Sequence, residues 1–137
     1  MNETSIPDAF LSAISARDFG RLADCLVPSA QARLLLPRGP EVQSGREDIA
    51  RRFQGWFAAG SDFSVLATSH EPVGRRHRLT WRLRMCRNLQ APEIVEQIAF
   101  VDIGPNGITD IDLLCSGFMA DEAVASSAIS GATGRTA

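Results

Sequence analysis

The chain has 137 residues, 14 basic and 16 acidic, for a formal net charge of −2, with 45% hydrophobic and 22% charged residues. That is one domain with enough apolar content to bury a core without metal or disulfide staples. Its near-neutral charge excludes a nucleic-acid binder held by bulk charge, and no apolar run reaches the roughly 18 residues a membrane-spanning helix needs. Two features are unusual: every basic residue is arginine, and there is no tyrosine.

The chain opens with helix signals. Ser5 and Asp8 form a capping box with Pro7 in the first turn, and Ile6, Phe10, Ala13 and Ile14 recur at helical spacing, predicting a helix over about 6–17. Asp18 is placed to cap a second short helix carrying Phe19, Leu22 and Leu26, which Pro28 ends. Residues 30–36 fit a short strand closed by Pro37-Arg-Gly-Pro40. Ser44 and Glu47 repeat the capping box, and behind them Ile49, Phe53, Trp56 and Phe57 make one face of a helix ending at Gly60.

Beyond Gly60 the period changes to two. Strands are predicted at 62–70, 74–87, 93–103 and 108–118, with turns at Pro72-Val-Gly74 and Gly104-Pro-Asn-Gly107. From Ala120 onward there is little to pack, so 120–137 reads as a disordered tail behind a domain of 1–119. Helices, one strand, a helix and a four-stranded meander define an α+β layout.

Phe10-Leu-Ser-Ala, Arg17-Asp-Phe, the Pro37–Gly45 loop, Gly45-Arg-Glu-Asp-Ile with Phe53-x-x-Trp56-Phe57, and Gly107-Ile-Thr-Asp-Ile-Asp together resemble the NTF2-like superfamily, in its SnoaL-like branch. The ending Leu114-Cys-Ser-Gly-Phe118 is similar to an uncharacterised bacterial group within that branch. The resemblance spans about residues 6–118. It implies a cystatin-like cone, a curved antiparallel sheet wrapped around three N-terminal helices, with an apolar pocket. It leaves the activity open, because ketosteroid isomerase, polyketide cyclases, dehydratases, epoxide hydrolases and non-catalytic domains share the fold. The isomerase machinery that the resemblance would supply is missing: its base falls on Leu34 or Leu36, its second aspartate near Ile98, and its tyrosine cannot exist here.

The Gly104–Gly107 turn sets Ile103 opposite Ile108, and opposed residues share a face. One face then carries Ile94, Glu96, Ile98, Phe100 and Asp102 with Thr109, Ile111, Leu113 and Cys115, and is read as concave. His77, Leu79, Trp81, Leu83 and Met85 join it, while Arg76, Arg78, Arg82 and Arg84 go to the convex face with Asp110 and Asp112, which long arginines can reach. A solvated ion-paired face or a homodimer interface through Arg78, Arg82, Arg84, Asp110 and Asp112 is the simpler reading of this stripe, ahead of nucleic acid.

Two residues are candidates for acid/base catalysis. Glu96, between Ile94 and Ile98, would gain a raised pKa in an apolar pocket, the condition for a general acid or base near neutrality. The alternatives are an edge carboxylate bonded to an arginine such as Arg33, or a one-residue bulge that flips its face. His77 would lie opposite Asp102, which could orient its imidazole, or it is exposed at a strand start. Arg33, Leu34, Leu36, Trp56, Trp81, Ile98, Phe100 and Cys115 are the expected pocket lining, with the aromatic residues equally readable as plain core. No spacing suits a metal, a phosphate loop or a nucleophile elbow, so no cofactor is expected. The expectation is a homodimer with a pocket for a small apolar ligand. It is either a cofactor-free isomerase, cyclase or dehydratase, or a non-catalytic ligand-binding or assembly domain, with no nucleic-acid or membrane partner. With three scattered cysteines (Cys25, Cys86, Cys115) and a Met-Asn-Glu-Thr start without a basic, apolar leader, the cytoplasm is the expected compartment.

Overall fold

The computed structural model describes residues 5–88 and 90–121. Three helices, α1 (Ser5–Ala16), α2 (Phe19–Asp24) and α3 (Arg46–Phe57), accompany seven strands: β1 (Leu26–Leu36), β2 (Gly39–Ser44), β3 (Ser61–Val73), β4 (Arg76–Cys86), β5 (Glu93–Gly104), β6 (Gly107–Cys115) and β7 (Met119–Ala120). The sheet order is β2-β1-β6-β5-β4-β3, and β7 pairs with β5. Only β1 and β6 run parallel; the other pairs are antiparallel. This is the α+β cone expected from the sequence, an unclosed sheet packed on one side by helices. No helix among the described residues is long and apolar enough to cross a membrane.

The helices form where the apolar spacing put them. Asp18 accepts a hydrogen bond from the Arg21 N–H at the start of α2, as read. The second capping box does not form. Gly45 is the N-cap of α3, at φ 92°, and the Ser44 hydroxyl turns instead to Gln31 on the neighbouring strand. Arg17, itself at φ 53°, sends its guanidinium to the carbonyls of Phe57 and Gly60 (3.1 and 2.7 Å), tying the end of α1 to the end of α3.

Strand β2 was not foreseen: Pro37-Arg-Gly-Pro40 closes a hairpin between β1 and β2 rather than a loop to the helix. Pro40 is tolerated there because β2 is an edge strand with one neighbour. Met119–Ala120 lie against Glu93–Ile94, and Asp121 is buried beside Arg84. The rest of the expected tail, from 122 on, lies outside the described residues.

The main departure from expectation is one residue wide. The hairpin closes with Ile103 opposite Ile108, as expected, but Asp102 then pairs with Asp110, leaving Thr109 as an unpaired bulge. Every residue of β5 beyond it changes face relative to β6. Val95, Gln97, Ala99 and Val101 therefore point inward and are buried, and Ile94, Glu96, Ile98, Phe100 and Asp102 point outward. The register between β4 and β5 also differs by one, pairing His77 with Val101 and Arg82 with Glu96. The two shifts cancel for β4, so Leu79, Trp81, Leu83 and Met85 lie inside and the arginines outside, as predicted.

The interior of the cone is filled with aromatic side chains. Phe53 of α3 touches Phe10 edge-on at 5.7 Å between centroids, Trp81 at 6.1 Å and Trp56 at 5.1 Å. Phe10, Phe53, Phe57 and Trp81 are almost wholly removed from water, the kind of burial that stabilises by roughly 1.5–3 kcal/mol per large side chain.

Candidate ligand-binding site

The expected pocket residues separate into three places. Leu34 and Trp81 are core. Arg33, Ile98 and Phe100 lie on the outer face of the sheet, where they border an apolar groove of about 620 Å³ with Leu35, Val42 and Leu114. Leu36, Trp56 and Cys115 line a cleft of about 710 Å³ at the mouth of the cone, together with Glu41, Arg52, Arg87 and Phe118. The sequence therefore named residues on both sides of one sheet as a single pocket, because the Thr109 bulge was not legible in it.

The mouth is built from chain segments that meet only in the fold. The β1–β2 hairpin brings Leu36, Arg38 and Glu41, α3 brings Arg52 and Trp56, the end of β4 brings Arg87, and the run after β6 brings Cys115 and Phe118. Arg52 forks onto Glu41 through Nε (2.6 Å) and Nη2 (3.1 Å), and its guanidinium lies 5.0 Å from the Trp56 ring. Arg87 gives Nε to Glu93 (2.7 Å) and stacks on Phe118 at 3.9 Å. The Arg52 guanidinium, helped by the Gln43 amide, holds the Glu41 carboxyl below the usual carboxylate range. Glu41 is therefore kept ionised and is a poor proton acceptor at neutral pH.

Gln97, on the inner face that the sequence pattern assigns to Glu96, is the polar link between core and mouth. It is 1% exposed. Its Oε1 accepts the Trp81 indole N–H at 2.8 Å, and its Nε2 donates to the Cys115 Sγ at 3.2 Å. The Gly117 N–H also points to that sulfur, at 3.3 Å. A polar residue flanked at i±2 by Val95 and Ala99 on a strand is the signal that could have marked it, once the inner face is known.

Neither proposed catalytic residue lines the mouth. Glu96 is on the outer face, paired with Arg82 at 2.7 Å, with its backbone N–H on the Ser116 hydroxyl. The apolar surroundings expected to raise its pKa are on the other side of the sheet. His77 does not face Asp102, which is held by Arg76 at 2.8 Å. His77 Nδ1 instead meets His70 Nε2 at 3.0 Å, and His70 Nδ1 lies 3.4 Å from Asp8 of α1. Among the described residues no group of three metal-ligating side chains is assembled.

The outer face is a lattice of ion pairs. Asp112 sits between Arg33 (2.6 Å) and Arg76 (2.7 Å), Arg78 meets Glu71, and Arg84 reaches Asp121 at 3.3 Å. Arg33, then Arg76, hold the Asp112 carboxyl below its usual range against an opposing effect of burial. Asp110 lies 3.8 Å from Arg33 at the edge of the lattice. The arginine stripe reaches Asp112 through Arg76, whereas Asp110 is met by Arg33 of β1, outside the stripe.

Solved structures with the same fold confirm the architecture. A protein of unknown function with a cystatin-like fold from Xanthomonas campestris superimposes with a TM-score of 0.66 at 13% identity, covering 85% of this chain and 92% of that one. A Catenulispora acidiphila protein with a ketosteroid isomerase-like fold, solved with trimethylamine, gives 0.65 at 15% identity over 82% and 85% of the two chains. An NTF2-like protein from Burkholderia xenovorans gives 0.62 at 12% identity over 82% and 88%. No family model and no curated protein matches the sequence. The chain has the NTF2-like fold; at these identities the likeness carries no activity or ligand across.

Proposed function

We propose that this chain is a SnoaL-like binder of small organic molecules, with its site at the mouth of the cone. One observation carries the reading: the 710 Å³ cleft sets apolar and aromatic side chains (Leu36, Trp56, Phe118) beside a few fixed polar groups, the composition of a small-molecule site. Acid/base chemistry such as isomerisation, cyclisation or dehydration gains no support at Glu96 or His77, since both lie outside this cleft, and Glu41 is committed to Arg52. A non-catalytic binding domain in the cytoplasm, where its three free cysteines stay reduced, is the better supported of the two classes. A thermal-shift screen of small organic compounds tests it. Stabilising compounds should lose their effect on Trp56→Ala and keep it on Glu96→Gln. No stabilising compound, or stabilisation indifferent to Trp56, overturns the reading.

The outer groove favours a second role, self-association. Leu35, Val42 and Leu114 are 52%, 62% and 51% exposed there, an apolar strip beside the ion-pair lattice. Arg33, Arg76, Arg78, Arg82 and Arg84 are offset by Glu71, Glu96, Asp102, Asp110, Asp112 and Asp121, so two copies can meet face to face without like-charge repulsion. Light scattering should show a dimer that Leu114→Asp disperses and that double charge reversal at Arg82 and Arg84 weakens. A monomeric wild-type chain, or a mass unchanged in Leu114→Asp, counts against it.

A further inference from the structure

At the mouth the hydrogen-bond donors exceed the acceptors among the described residues. Arg38, Arg52 and Arg87 line it against a single carboxylate, Glu41. Both Glu41 oxygens are already taken, Oε1 by Arg52 and Oε2 by Arg52 and Gln43. Arg52 keeps Nη1 without an acceptor among the described residues, and Arg87 keeps both Nη groups, since only its Nε engages Glu93. Arg38, exposed on the β1–β2 turn, has no ion-pair partner among the described residues. The Cys115 sulfur is likewise filled by two N–H donors.

A ligand entering this cleft therefore meets free N–H groups of guanidinium and no free anion. An entering cation would have to displace Arg52 from a bidentate pair, losing a charge-assisted fork for a single contact. An entering anion displaces nothing. The stacking of Arg52 near Trp56 and of Arg87 on Phe118 fixes both guanidinium planes against aromatic rings, which holds the donors at the rim of the apolar wall. We infer that the mouth selects small organic acids, an apolar and aromatic body lying against Trp56 and Leu36 while its carboxylate is taken by the rim arginines. This rests on the mouth being the binding site, and it adds the charge class of the ligand.

Three probes of one shape and different charge test it on the full chain by isothermal titration: naphthoate, naphthamide and naphthylmethylammonium. The acid should bind at least about tenfold more tightly than the amide, as a charge-assisted hydrogen bond gained over a neutral one implies, with the ammonium weakest. Arg38→Gln alters only an exposed turn and should shrink the acid-to-amide ratio through loss of acid affinity. Arg87→Gln should shrink it further, and Arg51→Gln, on α3 outside the cleft and paired with Asp48, should leave it unchanged. An amide that binds as tightly as the acid, an ammonium that binds tightest, or a ratio indifferent to Arg38 and Arg87 overturns the inference while the site stands. If none of the three binds, or if binding ignores Trp56→Ala, the site itself is wrong and the inference falls with it.

Discussion

The outer sheet face and the mouth of the cone are both rich in arginine, and they use it in opposite ways. On the outer face each guanidinium of β4 finds a carboxylate: Arg76 with Asp102 and Asp112, Arg78 with Glu71, Arg82 with Glu96, Arg84 with Asp121. At the mouth Arg38, Arg52 and Arg87 line a cleft that holds one carboxylate, Glu41, and two of them, Arg52 and Arg87, lean on aromatic rings. A closed lattice of pairs is a surface that can meet a copy of itself. An open set of donors beside an apolar wall is a surface that can hold something else. The difference lies in how much of the charge is already answered.

Substitutions can separate the two regions from each other and from the core beneath them. Phe53→Ala, in the packed interior, should cost about 3–5 kcal/mol in chemical denaturation, because the helix and sheet that flank it cannot fully collapse onto the vacancy. Trp56→Ala, one turn away and only partly buried, should cost clearly less yet remove ligand binding. A Trp56→Ala variant as unstable as Phe53→Ala would make Trp56 a core residue and weaken the mouth as a site.

Gln97→Leu should come next, at about 1–3 kcal/mol, since it leaves the buried Trp81 indole N–H without an acceptor. No loss of stability would mean that the Trp81 N–H finds another partner.

Acid pH acts on the mouth and the outer face together. Glu41 and Asp112 are held below their ordinary pKa by Arg52 and Arg33 respectively. Their contribution is complete above the unfolded-state values, near pH 4, and is lost as pH falls through the lower folded-state values. Stability should therefore be flat across neutral pH and decline only below about pH 4. Asp112→Asn should flatten part of that decline, by about 1 kcal/mol or less given the exposure of the pair. A decline already present near pH 6 would mean that these two carboxylates do not set the acid limb.

Glu96→Gln is expected to have the smallest effect, within about 1 kcal/mol, because it trims one exposed ion pair, and it should leave ligand affinity unchanged. A large drop in affinity would restore Glu96 to a site.

Much of the fold could be read before the structure. The stripe Ile49, Phe53, Trp56, Phe57 defines α3, and the alternation of arginine with Leu79, Trp81, Leu83 and Met85 defines the two faces of β4, because each pattern is local and strongly periodic. The site was less legible, for three particular reasons. The Thr109 bulge is set by backbone pairing rather than by side-chain pattern, and it alone moved Glu96, Ile98 and Phe100 to the opposite face. Strand β2 was concealed by Pro37 in the turn before it and by Pro40 within it, a residue an edge strand accepts. The mouth joins Arg52, Arg87 and Phe118 across long sequence separations, so no spacing could have announced it.

The most direct measurement is a crystal structure of the full chain grown with naphthoate. The ring system is expected in the mouth, against Trp56 and Leu36, with the carboxylate within hydrogen-bonding distance of an Nη of Arg38, Arg52 or Arg87. Ligand density in the outer groove beside Leu35 and Leu114, or a carboxylate turned away from all three arginines, would contradict it.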